Sequence, residues 1–299
     1  MNIQENFHAK FFATVKPLQI VGAHDGLGAK LIEKFCFDGV WASGLEISAS
    51  HGVPDANILT MTECLERAQE MILTSSLPVI ADVDTGFGDV NIVQRMIRLY
   101  EAAGVSAVVI EDKTFPKRNS FLSGNQELAS IPEFCAKLRA ARRVRKNDKG
   151  MLIIARIEAL IAGKDLQEAL ERAHAYKDAG ANGILIHSKS KEPTEIVQFL
   201  RKWGNQLPVV LVPTTYPSLQ YGQMAQLGVK MIIYANQCMR ASITAMSNIL
   251  EIMKRESSTT NVEQLIAPVS KIFELQGTDL LLDQEKIYHN DKEEYSRKG

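Results

Sequence analysis

The chain has 299 residues, 45% of them hydrophobic, enough to bury one large barrel core or two ordinary domain cores. Its 34 basic and 35 acidic side chains leave a formal charge of −1, which gives no electrostatic ground for nucleic acid or an anionic membrane as partner and points to small molecules. The four cysteines, Cys36, Cys64, Cys135 and Cys238, lack metal-ligand spacing. Residues 1–16 lack the basic-then-apolar order of a signal peptide, and no apolar run is long enough to span a bilayer, so a reducing cytoplasm is the expected compartment.

From residue 18 onward short apolar runs alternate with longer amphipathic segments, the pattern of a parallel sheet buried on both faces. Eight such runs occur, at 18–22, 39–43, 78–82, 107–111, 152–156, 183–187, 209–212 and 231–234. Helical patterns lie between them at 91–103, 165–179, 192–203 and 218–227, most of them ending near a glycine suited to a C-cap. Eight strand-helix units predict an α/β fold, a closed (β/α)8 TIM-type barrel. The glycine-rich stretch 22–28 matches no phosphate-loop pattern and reads as a loop opening the first barrel helix, with Asp25 as a candidate N-cap.

Beyond the eighth run the pattern predicts a long helix over 236–255, a polar break at 257–261 and another helix over 262–275. That last helix has no place in a closed eight-unit barrel, so it either caps the floor or packs on a neighbouring subunit as an exchanged element. The expected organisation is one barrel domain over 1–275, with a polar, partly mobile tail over 276–299.

In such barrels chemistry gathers at the C-terminal ends of the strands. The second run leads into Trp41, Ser43, Gly44 and Leu45, the third into Asp82 and Asp84, the fourth into Glu111 and Asp112. The fifth ends in Arg156, the sixth in His187, and the seventh leads to Thr214 and Thr215. Asp82, Asp84 and Glu111, with Asp55 from the loop after the second strand, form a hard oxygen-donor set suited to magnesium or manganese. A buried Arg156 calls for an anion, carboxylate or phosphoryl, and His187 lies on the same rim. Backbone N–H groups of the turn at 43–45 either meet an oxyanion or simply close a tight turn. The run EDKTFPKRNSF at 111–121 joins the metal-site acid Glu111 to a polar lid carrying Lys117 and Asn119.

The segments WASGLEISAS (41–50), DVDTGFG (82–88), EDKTFPKRNS (111–120), ARIEA (155–159) and HSK (187–189) closely resemble those of the phosphoenolpyruvate mutase family. That family belongs to the isocitrate lyase and phosphoenolpyruvate mutase superfamily, and the resemblance runs over about 18–275. It implies a required Mg2+, a homotetramer built as a dimer of dimers with its last helix exchanged, and phosphoenolpyruvate or phosphonopyruvate as substrate. It further implies that Asp82 binds the metal most directly, while Asp84, Glu111 and Asp55 hold its waters or lie near the reacting centre. Gly44 and Leu45 would meet the pyruvyl oxygens, with Trp41 and Ser43 also at the substrate. Ser43, Arg156, His187 and Asn119 would hold the carboxylate and the migrating phosphoryl group, and Lys117 would arrive with the lid.

The implied reaction interconverts phosphoenolpyruvate and phosphonopyruvate by intramolecular phosphoryl transfer, the first step of phosphonate biosynthesis. Lyases of the superfamily that cleave isocitrate-type substrates carry a lid cysteine as general acid, and 111–121 has none. Relatives that cleave oxaloacetate-like acids without it remain an alternative, as does a silent barrel. The nearer rival is phosphonopyruvate hydrolase, where threonine is typical at the position of Asn119. Two departures from close mutases are Glu46, where a small residue is common, and Tyr234 and Gln237 flanking Ala235 and Asn236.

Overall fold

The apolar runs form strands whose successive side chains alternate between two apolar environments. In the computed structural model, which describes residues 2–120 and 126–298, they are β1 (Leu18–Ala23), β2 (Gly39–Ala42), β3 (Val79–Asp82), β4 (Ala107–Glu111), β5 (Leu152–Ile157), β6 (Gly183–Ile186), β7 (Val209–Leu211) and β8 (Met231–Tyr234). All pair in parallel, each with its sequence neighbour, and β8 closes on β1, so the expected barrel is borne out. Ends differ from the expected runs by a residue or two, as at β7, which stops one residue before Val212.

Alternation sorts the strand residues into two cores. Ile20, Trp41, Ile80, Ala107, Val109, Leu152, Ile154, Leu185, Val210, Met231 and Ile233 fill the interior. Their neighbours, such as Val108, Ile110, Ile153 and Ala155, face the surrounding helices. With a period of two, the interior series 80, 82, 84 ends in acids, as does 107, 109, 111, and the series 152, 154, 156, 158 ends in Arg156 and Glu158. Register places Glu111 beside Arg156.

The floor is closed by a helix that the sequence reading did not anticipate, α1 (Ile3–Ala13), started by a capping box between Asn2 and Glu5. Its Phe7 and Phe11 are buried with the interior residues, each burial contributing roughly 1.5–3 kcal/mol. Between strands lie α2 (Gly26–Lys34), capped by Asp25 as expected, α3 (Gly44–Ser50), α4 (Met61–Thr74), α5 (Val90–Ala103), α6 (Ile131–Val144), α7 (Leu166–Asp178), α8 (Thr194–Trp203) and α9 (Tyr221–Gln226). Gly22 lies where chain crossing leaves no room: a Cβ there would overlap the Ala235 carbonyl oxygen and come within 2.7 Å of Glu46 Oε1.

The chain divides into two compact units, Met1–Met239 and Arg240–Gly299. The first holds the whole barrel and the start of α10 (Gln237–Glu256); the second holds the rest of α10 with α11 (Val269–Gln276) and α12 (Thr278–Lys298). The helix expected over 262–275 begins only at Val269, after Pro268, because a proline disfavours helical backbone in the residue before it. Residues 278–298, expected within a polar tail, are helical, and the Lys286–Asp283 pair one turn apart supports that conformation. Among the described residues no helix is long and apolar enough to cross a membrane.

Where β4 ends, Asp112 points away from the interior and is fully buried. It accepts hydrogen bonds from Arg172 Nη1 at 3.0 Å, Tyr176 Oη at 2.7 Å and the Glu158 backbone N–H at 2.8 Å. Arg172 also donates to the Ala129 carbonyl, so one ion pair joins α7 to both ends of the 113–128 excursion. Arg172→Ala leaves Asp112 buried without its cation and is expected to lower stability by about 3–5 kcal/mol, read from urea unfolding.

Candidate active site

The interior-facing positions at the C-terminal ends of the strands converge on one cavity of about 540 Å³, its open mouth included. Of the residues expected from sequence, Trp41, Ser43, Leu45, Asp55, Asp82, Glu111, Lys117, Asn119, Arg156 and His187 line it. Gly44 and Asp84 stand just behind: a Cβ on Gly44 would lie 3.3 Å from both Asp82 Oδ2 and Asp84 Oδ1. Ser43 caps α3 by accepting the Glu46 N–H at 3.3 Å. Gly44 and Leu45 occupy the first helical positions, whose N–H groups have no carbonyl a turn earlier within the helix.

One side of the cavity is acidic. Asp82 ends β3, and Asp84 follows in a left-handed conformation, φ +49°, where its N–H donates to Asp82 Oδ1 at 3.2 Å. The Lys117 ammonium lies 2.8 Å from Asp55 Oδ1 and 2.5 Å from Asp84 Oδ1. Burial alone would lower the Lys117 pKa, but Asp84, Asp82, Glu111 and Asp55 outweigh it and hold the ammonium well above its ordinary value. Burial pushes Asp84 up to about 7, with Lys117 opposing the rise and Asp82, Asp55 and Glu111 adding to it. Glu111 is raised by burial against the pull of Arg156, Lys113 and Lys117. Asn119 Nδ2 donates to Asp55 Oδ2 at 2.6 Å.

The other side is basic, and its hub is Glu158, fully buried. Its carboxylate accepts from Arg156 Nε at 2.6 Å and Ser120 Oγ at 2.6 Å, and lies 3.0 Å from His187 Nδ1 and 3.2 Å from Lys113 Nζ. Burial would raise its pKa, but Arg156, His187 and Lys113 hold it well below the usual carboxylate range. Arg156 Nη2 lies 3.1 Å from His187 Nδ1 and 3.2 Å from Ser120 Oγ. Burial lowers the His187 pKa, and Arg156 adds to that effect against Glu158. The Arg156 Nε also stands 3.5 Å from Glu111 Oε2, where the two sides meet.

Sequence reasoning did not single out Glu158, Lys113, Ser120 or Asn57. Glu158 carried a signal in its spacing, two residues past Arg156 and therefore on the same strand face. Lys113 and Ser120 stood in the 111–121 run, and Lys113 now anchors it by donating to the Arg118 carbonyl at 2.8 Å and Ser120 Oγ at 2.7 Å. Phe121, the last residue of that run, lies outside the described residues.

Among the described residues no three His, Cys, Asp or Glu side chains converge as a ready-made metal cage. Glu111 Oε1 is nonetheless a buried carboxylate oxygen with no hydrogen-bond partner, and the neighbouring donors are all hard oxygens. That donor set fits magnesium, which keeps several waters and takes only one or two carboxylates from a protein.

A family model described as phosphoenolpyruvate phosphomutase matches residues 7–254. The phosphoenolpyruvate phosphomutase of Tetrahymena pyriformis is 44% identical over 270 residues, 90% of this chain and 90% of its own. The phosphonopyruvate hydrolase of Variovorax sp. (strain Pal2) is 46% identical over 90% of this chain and 93% of its own. A crystal structure of phosphoenolpyruvate phosphomutase from Streptomyces platensis subsp. rosaceus superposes with a TM-score of 0.93 at 49% identity, covering 96% of this chain and 99% of that one. A phosphonopyruvate hydrolase in complex with oxalate and Mg2+ gives 0.90 at 42%, with coverage of 96% and 99%. With this agreement along nearly its whole length, the chain belongs to the phosphoenolpyruvate phosphomutase family.

Proposed function

We propose that the protein is a magnesium-dependent phosphoenolpyruvate mutase, interconverting phosphoenolpyruvate and phosphonopyruvate. The observation that carries this reading is Asn119, whose carboxamide is seated on Asp55 in the wall of a cavity that has acids on one side and Arg156 with His187 on the other. The reaction breaks the bond between phosphorus and the enol oxygen and forms one between phosphorus and carbon 3, with no net proton transfer and no co-reactant. A loose transition state of this kind needs positioning and charge more than covalent help.

Asp82, Asp84 and Glu111 would hold magnesium, which would supply positive charge to the pyruvyl oxygens when bound. Arg156 and His187, oriented by Glu158, bind the phosphoryl oxygens, and Asn119 donates to them from the opposite wall. Gly44 and Leu45 direct their N–H groups to the substrate oxygens, Ser43 holds the carboxylate, and Trp41 walls the cavity. Lys117 offsets the acids and, with Asn119, keeps water from the migrating group.

Hydrolysis of phosphonopyruvate is a second reading, favoured by the 46% identity to the Variovorax hydrolase. The absence of cysteine from 111–121 speaks against lyase chemistry of the isocitrate type. We place the protein in a reducing cytoplasm, which suits four cysteines that form no disulfide. We further propose that residues 1–275 act as one domain in a homotetramer with an exchanged C-terminal helix, and that 276–299 is an appendage. Ile243, Met246 and Leu250 on α10 are exposed along one helical face, which supports burial against another subunit.

Phosphorus NMR of phosphonopyruvate with enzyme and magnesium is expected to show phosphoenolpyruvate, and no conversion once the metal is chelated; phosphate and pyruvate as sole products would establish the hydrolase instead. Asn119→Ala should reduce mutase turnover by about 10²-fold, as loss of one aligned donor does, while its unfolding transition stays that of the parent; undiminished turnover removes Asn119 from the mechanism. Sedimentation should give a mass about four times the 33.2 kDa chain.

A further inference from the structure

One polar side chain beside the cavity has no part in the chemistry above, yet touches two of its members. Asn57 lies in the loop after α3 with φ +56°, a left-handed conformation that asparagine tolerates better than most residues. Its Nδ2 donates to Asp84 Oδ2 at 2.7 Å, and its Oδ1 accepts the backbone N–H of Lys117 at 2.5 Å. A carboxylate can only accept and a backbone N–H can only donate, so the two partners leave one orientation for the carboxamide. The same lysine returns to the same aspartate through its ammonium, 2.5 Å from Asp84 Oδ1. Asn57, Lys117 and Asp84 therefore close a ring in which both the main chain and the side-chain end of Lys117 are tied to the end of β3.

We infer that Asn57 is a positioning residue, a two-point clip that registers Lys117 and the carboxylate of Asp84 against each other. Without the clip, the ion pairs of Lys117 to Asp55 and Asp84 still bind the end of a flexible four-carbon stem, but they do not hold its backbone amide. The consequence for chemistry rests on the mutase reading. A displaced Lys117 admits water to the migrating group, and water that takes the phosphoryl group gives phosphate and pyruvate, its protons ending on phosphate and on carbon 3. Asn57 would thus help set the division between isomerisation and hydrolysis, although it touches no reacting atom.

Glycine at this position accepts the positive φ and removes only the side chain, so Asn57→Gly separates clip from fold. Hydrogen exchange of the intact protein is expected to show the Lys117 amide at least tenfold faster in the variant, with the barrel strands and the thermal midpoint unchanged. With phosphonopyruvate and magnesium, the phosphate share of the products should rise severalfold. Exchange at Lys117 as slow as in the parent, or acceleration spread through the whole chain, overturns the clip. Faster local exchange with an unaltered product ratio overturns its part in excluding water. If the parent itself releases only phosphate, the mutase reading fails, while the clip is still decided by the exchange at Lys117.

Discussion

Opposite charges held together out of water at one end of the barrel are the constraint from which the site follows. Glu158 is central among them, a carboxylate without exposure that meets Arg156, His187, Lys113 and Ser120 within 3.2 Å. An isolated ion there would cost several kcal/mol, and its partners offset that cost only while they hold their geometry. The same requirement that makes the cluster tolerable makes it rigid. Arg156 reaches the cavity with its Nε already engaged, so its orientation is set before any substrate arrives.

Charge is distributed in two halves. Asp55, Asp82, Asp84 and Glu111 crowd one wall with Lys117 among them, while Arg156, His187 and Lys113 occupy the other around Glu158. A cation suits the first wall, and a phosphoryl or carboxylate anion suits the second. The raised pKa of Asp84 and the well-raised pKa of Lys117 express the same crowding: too many carboxylates for the solvent available, and one ammonium held firmly by them.

The segment after β4 connects the two halves, which explains its unusual density of polar residues. Lys113 and Ser120 turn towards Glu158, whereas Lys117 and Asn119 turn towards Asp84 and Asp55. Its stem is fixed by the Lys113–Leu128 bridge and by Asp112 beneath it, where Arg172 and Tyr176 complete a second buried network facing the helices. Solved structures named phosphoenolpyruvate phosphomutase and phosphonopyruvate hydrolase share this fold, so the barrel alone does not separate the two activities.

The sequence by itself determined the barrel, because eight apolar runs separated by helical patterns have few other ways to bury both faces of a sheet. It also pointed to Asp82, Glu111, Arg156 and His187 as strand-end residues of one rim, and they line one cavity. Helices at both ends were less legible: α1 offered a capping signal but only weak amphipathic patterning, and the start of α11 was decided by Pro268. Only the tertiary structure decided which polar residues meet. Asn57 and Lys117 are 60 positions apart, Ser120 and Glu158 are 38 apart, and no local pattern encodes either contact. Strand parity can say which face a side chain occupies, but the partner across a closed barrel is set by register and by the path of the loops, and these form only when the whole sheet closes.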